Sequence, residues 1–345
     1  MSTPDTGVWA GLANPPVLFF FLGVFAGLVR SSLHVPRSVT KLLALYLLWS
    51  IGFQGGVKLA GGAVGVGGGE GVGGPLPHGV LAALGIGMLL ACLVPLSSFV
   101  ILRRLVGRED AAALAAAYGS VSAVTFMTAA TVLEARGISF GGHMVAAMAL
   151  MESPAIVVGV VLLRLSQRRE GARDGARLAA GGASWSKLLH EAFLNGPVLL
   201  LLGSMLIGVF TSERGYAMFK PLCTDLFSGV LVFFLLDLGI QAARRLGDLR
   251  AAGWRLIAFG LLTPPMHAAL ALGLSRLAGL SVGDTVLLMV LGGSASYIAV
   301  PAAMRLVIPK ANPGLYIPLP LAVTFPFNVA LGIPLYIWAA THVHF

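Results

Sequence analysis

Apolar runs of about 18 to 25 residues recur along the chain, separated by short polar or basic segments. A helix of about 20 apolar residues crosses the hydrocarbon core of a bilayer. Such runs lie near 15–33, 43–60, 79–101, 111–133, 142–163, 195–211, 222–241, 255–275, 284–304 and 315–339. The pattern predicts an all-α integral membrane protein of about ten transmembrane helices.

Two of these runs are interrupted by the same tetrapeptide, G-S-x-S. It occurs as Gly119-Ser120-Val121-Ser122 and as Gly293-Ser294-Ala295-Ser296. Irregular backbone at bilayer depth is tolerated only where protein or a water-filled cavity receives the freed polar groups. Paired interruptions in corresponding positions of two halves point to the binding site of a secondary transporter. Two broken crossing helices are therefore expected.

The halves correspond elsewhere too. Asn14-Pro15-Pro16-Val17-Leu18 matches Asn195-Gly196-Pro197-Val198-Leu199, and Gly52-Phe53-Gln54 matches Gly239-Ile240-Gln241. Glu152-Ser153-Pro154, taken to open the fifth run, pairs with Phe325-Pro326-Phe327-Asn328 in the tenth. With the G-S-x-S pair, the matches keep one order at offsets of 181, 187, 174 and about 172 residues. Five spans per half send the second half into the membrane from the opposite side, giving an inverted 5+5 repeat.

Charge adds orientation. Of 23 Lys and Arg residues, placing the N-terminus outside leaves only Lys58, Arg136, Arg214, Lys220 and Arg276 on the outer face. That asymmetry is the positive-inside pattern, so both termini face outward from a multi-pass inner-membrane protein. The net charge of +9 is spread over short loops rather than gathered in a nucleic-acid-binding patch. Charged residues make up 11% of the chain and the mean hydropathy is +0.90, against about 25% charged in soluble domains. Cys92 and Cys223 form no disulfide framework or metal-ligand spacing. Met1 to Val8 lacks a basic segment, so the first run reads as a retained span. Residues 164–193 read as a flexible cytoplasmic linker followed by a surface-lying amphipathic helix, and Gly61 to Gly79 as a glycine-rich outer loop. No Ser-His-Asp set, HExxH or Walker loop is present, which leaves an enzyme reading without support.

A helix broken mid-membrane offers an N-terminus with free N–H groups, suited to an anion, and a C-terminus with free carbonyls, suited to Na⁺. The candidate substrate-binding residues are Gly119, Ser120, Val121, Ser122, Gly293, Ser294, Ala295, Ser296 and Tyr297. The candidate sodium ligands are Ser122, Thr125, Glu152, Ser296 and Asn328; no other metal is expected. The serine and threonine hydroxyls suit either ion. For Glu152, cation binding, proton exchange and a helix-start carboxylate stay open. Asp237, deep in an apolar run, serves either transport or a contact to a neighbouring helix. His267, after Thr263-Pro264-Pro265, reads as a packed or interfacial histidine. Tyr297 donates to an anion or fills the cavity.

Gly119-Ser120-Val121-Ser122-Ala123-Val124-Thr125, Glu152-Ser153-Pro154-Ala155, Gly293-Ser294-Ala295-Ser296-Tyr297-Ile298-Ala299 and Pro309-Lys310-Ala311-Asn312-Pro313 carry a wider resemblance. From Asn14 to Leu335 the chain resembles the sodium-dependent bicarbonate transporter family, best known from cyanobacterial carbon uptake. The resemblance implies a Na⁺-coupled symporter that takes up bicarbonate or a similar small anion by alternating access, with a core moving against a gate. Residues 9–60 and 194–243 would form the gate or scaffold, 79–163 and 254–340 the core. It also implies a homotrimer and a cytoplasmic PII-like regulator, and no nucleic-acid partner. The cyanobacterial members carry an Asp where this chain has Tyr297, and hydroxyls at the positions of Ala299 and Ala303, so ion coordination or anion preference differs here. The central linker is also shorter than theirs, which weakens the implied regulator. Two other readings stay open: a Na⁺-coupled symporter of an organic anion on the same fold, and a membrane sensor or scaffold with vestigial transport.

Overall fold

The computed structural model describes residues 15–63, 78–163 except 153, 156 and 160, 196–249, and 253–343 except 298–299, 301–303 and 305–307. The N-terminal segment, most of the outer glycine-rich loop and the linker with its expected amphipathic helix lie outside the described residues. So do Ser153, Ile298, Ala299 and Ala303.

Among the described residues the secondary structure is helical, without strands. In lipid this follows from the backbone, whose polar groups must be satisfied within each segment. The elements are α1 (Pro15–Leu28), α2 (Arg37–Ala63), α3 (His78–Leu102), α4 (Arg108–Gly119), α5 (Ala123–Ala135), α6 (His143–Glu152), α7 (Gly196–Val209), α8 (Glu213–Lys220), α9 (Phe227–Leu249), α10 (Gly253–Leu277) and α11 (Val282–Gly293). The last helical segment, α12, runs from Pro313 to His342. Among the described residues seven segments are long and apolar enough to cross a membrane, α4 and α5 counting as one and α8 with α9 as another; α1, Leu199–Val209 and α11 are shorter apolar helices.

Two helix pairs, α1 with α9 and α2 with α7, pack through glycines at near-backbone contact. A Cβ on Gly23 would overlap the Leu236 carbonyl, and Gly27 meets the Ala243 side chain. In the other pair Gly52 meets Ser204, and Gly208 meets Gly56. The sequence offsets convert one set into the other. Adding 181 on α1 and subtracting 187 on α9 turns Gly23·Gly239 into Ser204·Gly52, and Gly27·Ala243 into Gly208·Gly56. Small residues at these crossings provide the close van der Waals packing that associates helices in lipid.

The remaining helices, α3 to α6 and α10 to α12, surround the two interruptions. The α4–α5 segment is 94% buried, whereas the other spans lie between 44% and 56%. It is therefore central, with the other helices wrapped around it. Buried Asp237 on α9 accepts from the Thr40 hydroxyl of α2 and from Gln241, each at 2.7 Å. Of the two roles open for Asp237, the structure displays the helix-to-helix contact.

Irregular turns appear where sequence periodicity gave no warning. A π turn at Pro221–Asp225 joins α8 to α9. The Tyr46 hydroxyl donates to the Leu222 carbonyl and the Gln54 amide to the Cys223 carbonyl. Two further π turns, Pro320–Thr324 and Asn328–Gly332, lie inside α12, a segment rich in prolines that remove helix donors. Glu152, expected to open the fifth run, instead lies midway along the helical span His143–Leu163.

Candidate functional site

Both interruptions occur at the tetrapeptides. Helix α4 stops at Gly119, Ser120 and Ser122 are extended (φ −83°, ψ 157° and φ −104°, ψ 106°), and α5 begins at Ala123. Helix α11 stops at Gly293, followed by extended Ser294 (φ −92°, ψ 171°).

Each motif position has a physical task. The glycine faces a proline-bearing helix: a Cβ on Gly119 would strike the Pro95 ring of α3, and one on Gly293 would crowd the Pro264 carbonyl of α10. The first serine returns its hydroxyl to a backbone carbonyl, Ser120 to Glu152 at 3.2 Å and Ser294 to Leu291 at 3.0 Å. The second serine caps the following turn. Ser122 Oγ accepts from Thr125 N at 3.2 Å, and Ser296 Oγ from Val300 N at 3.4 Å.

The interruptions also bind each other. Ser122 N donates to Ser294 Oγ at 3.0 Å, and Ser296 N donates to the Ala117 carbonyl at 2.8 Å. Ala117 lies in the last turn of α4, where carbonyls lack intrahelical donors. Four serines, at 0% (Ser120), 5% (Ser122), 1% (Ser294) and 4% (Ser296) exposure, thus meet at one enclosed point.

The other candidates surround it. Thr125 is buried in the first turn of α5. Glu152 is partly exposed and reaches the first break through its backbone carbonyl, the acceptor of Ser120. Asn328 is buried and donates from Nδ2 to the Gly293 carbonyl at 2.8 Å, while its Oδ1 accepts from the Tyr336 hydroxyl at 2.9 Å. It therefore holds the orphaned end of α11. Tyr297 packs edge-on against Phe325 (centroids 5.4 Å apart), which packs against Phe20 of α1 at 5.2 Å. The buried Tyr297 hydroxyl lies beside Ser122 but outside hydrogen-bond geometry. His267 is buried and hydrogen-bonded through Nε2 to Ser97 Oγ at 2.9 Å, as a packed histidine should be. Val121 and Ala295 are buried within the breaks.

Sequence reasoning missed the supports. Pro264 deprives the Gly260 carbonyl of its helical donor. The Thr324 hydroxyl supplies one at 2.9 Å and itself bonds Tyr118 at 2.6 Å. This chain ties α4, α10 and α12 together beneath the first break. The only sequence signals were prolines in the middle of apolar runs.

Chemically, the N–H groups of Ala123 and Val124 at the start of α5 have no intrahelical acceptor and carry the positive end of the helix dipole. Carbonyls at the ends of α4 and α11 face the same region. No Lys or Arg is among the buried polar side chains of the described residues. No group of three or more His, Cys, Asp or Glu suited to a metal occurs among the described residues.

Comparison with curated proteins yields no match. A family model does match, over residues 15–341 of the 345. It describes a family of transporters rather than enzymes, dependent on Na⁺, which agrees with the membrane-length helices. The chain belongs to the Na⁺-dependent bicarbonate transporter superfamily.

Proposed function

We propose that this protein is a symporter that carries bicarbonate, or an anion of similar size, together with Na⁺ by alternating access, and that the two G-S-x-S breaks form its binding site. The observation that carries this reading is the mutual hydrogen bonding of the breaks, Ser122 N to Ser294 Oγ and Ser296 N to the Ala117 carbonyl. Ten spans in an inverted 5+5 repeat account for it. The interchange of the α1–α9 and α2–α7 glycine contacts supports the same symmetry, as does the proline against each motif glycine.

On loading, the anion takes the N–H groups at the start of α5 and the hydroxyls of Ser120 and Ser294, which turn away from the Glu152 and Leu291 carbonyls. Na⁺ takes hydroxyls of Ser122, Thr125 and Ser296 and the released carbonyls, with Glu152 and Asn328 adjacent. The aromatic filling by Tyr297 and Phe325 and the lack of buried Lys or Arg among the described residues favour a small anion over a bulky organic one. Residues 79–163 and 254–340 move as the core against a scaffold of 9–60 and 194–243. An inside-negative potential contributes roughly 2.3 kcal/mol per positive charge per 100 mV. Both termini face outward from the inner membrane in this scheme, and homotrimer formation and PII-like control are carried from the resemblance alone.

The test is uptake by purified protein in liposomes. Labelled bicarbonate should accumulate when Na⁺ is supplied outside and not when K⁺ replaces it. Equal accumulation with either cation overturns the symport reading.

A further inference from the structure

At the membrane face where α2 ends, one lysine crosses from scaffold to core. Lys58 Nζ lies 2.7 Å from Glu134 Oε1 of α5 and 4.2 Å from the centroid of the Phe140 ring. The backbones are close there too. Gly142 packs against the Gly55 carbonyl, Leu59 N and Lys58 Cβ, and Gly55 packs against Val145. A pocket of about 430 Å³ borders the junction, lined by Lys58, Glu134, Ser139, Gly141 and Ser281 among others.

The core side of this junction is braced. Gly141 N donates to Asp284 Oδ1 at 2.8 Å, and Asp284 Oδ2 lies 3.6 Å from His143 Nε2. Gly283 is pressed against the Ser139 carbonyl. Phe140 and Glu134 thus sit on a surface fixed to α11, the helix that ends at the second break. Lys58 is the scaffold's contribution, and the charge pattern assigns this face to the outside.

We propose that Lys58 and Glu134 form a latch that holds the core against the scaffold at the outer face and must open whenever the site is loaded from outside. The inference rests on the alternating-access reading and adds the element that sets the balance between closed and open. Its chemistry suits a reversible contact. Both side chains keep water access, at 39% and 53% exposure, so neither pays a large desolvation penalty on pairing or release. An exposed ion pair with a cation–π contact biases a two-state equilibrium by about two- to tenfold. That is enough to favour closure without trapping it.

Thiol accessibility tests the latch without requiring flux. Val145, 1% exposed beneath Gly55, is changed to Cys in a protein whose Cys92 and Cys223 are replaced by Ser. A membrane-impermeant maleimide is then applied from outside to reconstituted protein. Lys58→Gln and Glu134→Gln should each raise the labelling rate about two- to tenfold. The exchange Lys58→Glu with Glu134→Lys, which restores opposite charges, should return it to near the parent rate. Unchanged rates in the single variants, or an exchange variant labelled as fast as they are, overturn the latch. Bicarbonate flux is measured separately. A charge-dependent labelling rate in protein without Na⁺-driven uptake keeps the latch and rejects symport; intact uptake with charge-independent labelling rejects the latch alone.

Discussion

The amide of Ser122 donates to the hydroxyl of Ser294 across 3.0 Å, joining residues 172 positions apart at the centre of the molecule. Each belongs to a short extended stretch between helical segments. Together they make two helix interruptions into one local structure. Because Ser294 also donates to the Leu291 carbonyl, its hydroxyl serves both breaks at once. Ser294→Ala should leave the buried Ser122 amide without a partner, at a cost of about 1–3 kcal/mol. A lowered melting temperature of the detergent-solubilised protein, with uptake reduced about tenfold or more, is the expected pair of results.

Gly119 should tolerate no side chain. The Pro95 ring occupies the space a Cβ would need, and overpacking of this kind costs about 1–3 kcal/mol. Gly203 on α7 is a matched control, since nothing lies within 4 Å of its Cβ position. Gly119→Ala should lower the melting temperature, whereas Gly203→Ala should hold or raise it, because alanine favours helix over glycine by about 1 kcal/mol.

Asp237 should prove to be an anchor rather than an ion ligand. Its Oδ2 accepts from both Thr40 and Gln241, so the carboxyl group joins α2 to α9. Asp237→Ala should destabilise the protein by about 1–3 kcal/mol, because the Thr40 and Gln241 donors lose their acceptor. The apparent Na⁺ affinity of the protein that folds should stay within about twofold of the parent. A large loss of Na⁺ affinity would assign Asp237 to the transport path.

Tyr297 carries a buried hydroxyl without a hydrogen bond. An unsatisfied group of this kind costs about 1–3 kcal/mol. Tyr297→Phe should therefore raise the melting temperature of the ligand-free protein. It should also reduce the further rise produced by Na⁺ with bicarbonate, because the hydroxyl that would meet the anion is gone. Equal ligand-induced shifts in both proteins would confine Tyr297 to cavity filling.

The all-helical, membrane-length character of the chain and the two breaks were legible because each rests on local signals: apolar runs long enough to cross a bilayer, and a glycine–serine motif that weakens a helix. The glycine crossings were legible only as offsets, since Gly23 and Gly239 acquire meaning when their helices touch. The three π turns were not legible, because a π turn differs from an α turn by one residue of register and leaves hydropathy unchanged. Glu152 reads in the sequence as the opening of its run, whereas it lies midway along the helical span His143–Leu163. The Tyr118–Thr324–Gly260 chain was hidden for another reason. It depends on which carbonyl a proline leaves unpaired and on which distant hydroxyl reaches it.

A double-mutant cycle on Ser120 and Ser294 tests most directly whether the two breaks serve one site. Initial rates of Na⁺-driven bicarbonate uptake are compared for the parent, Ser120→Ala, Ser294→Ala and the double variant in liposomes. Groups sharing a ligand are coupled by about 0.5–3 kcal/mol, so the double variant should lose markedly less than the product of the two single losses. Losses that multiply independently, or single variants that transport at the parent rate, would contradict a shared site.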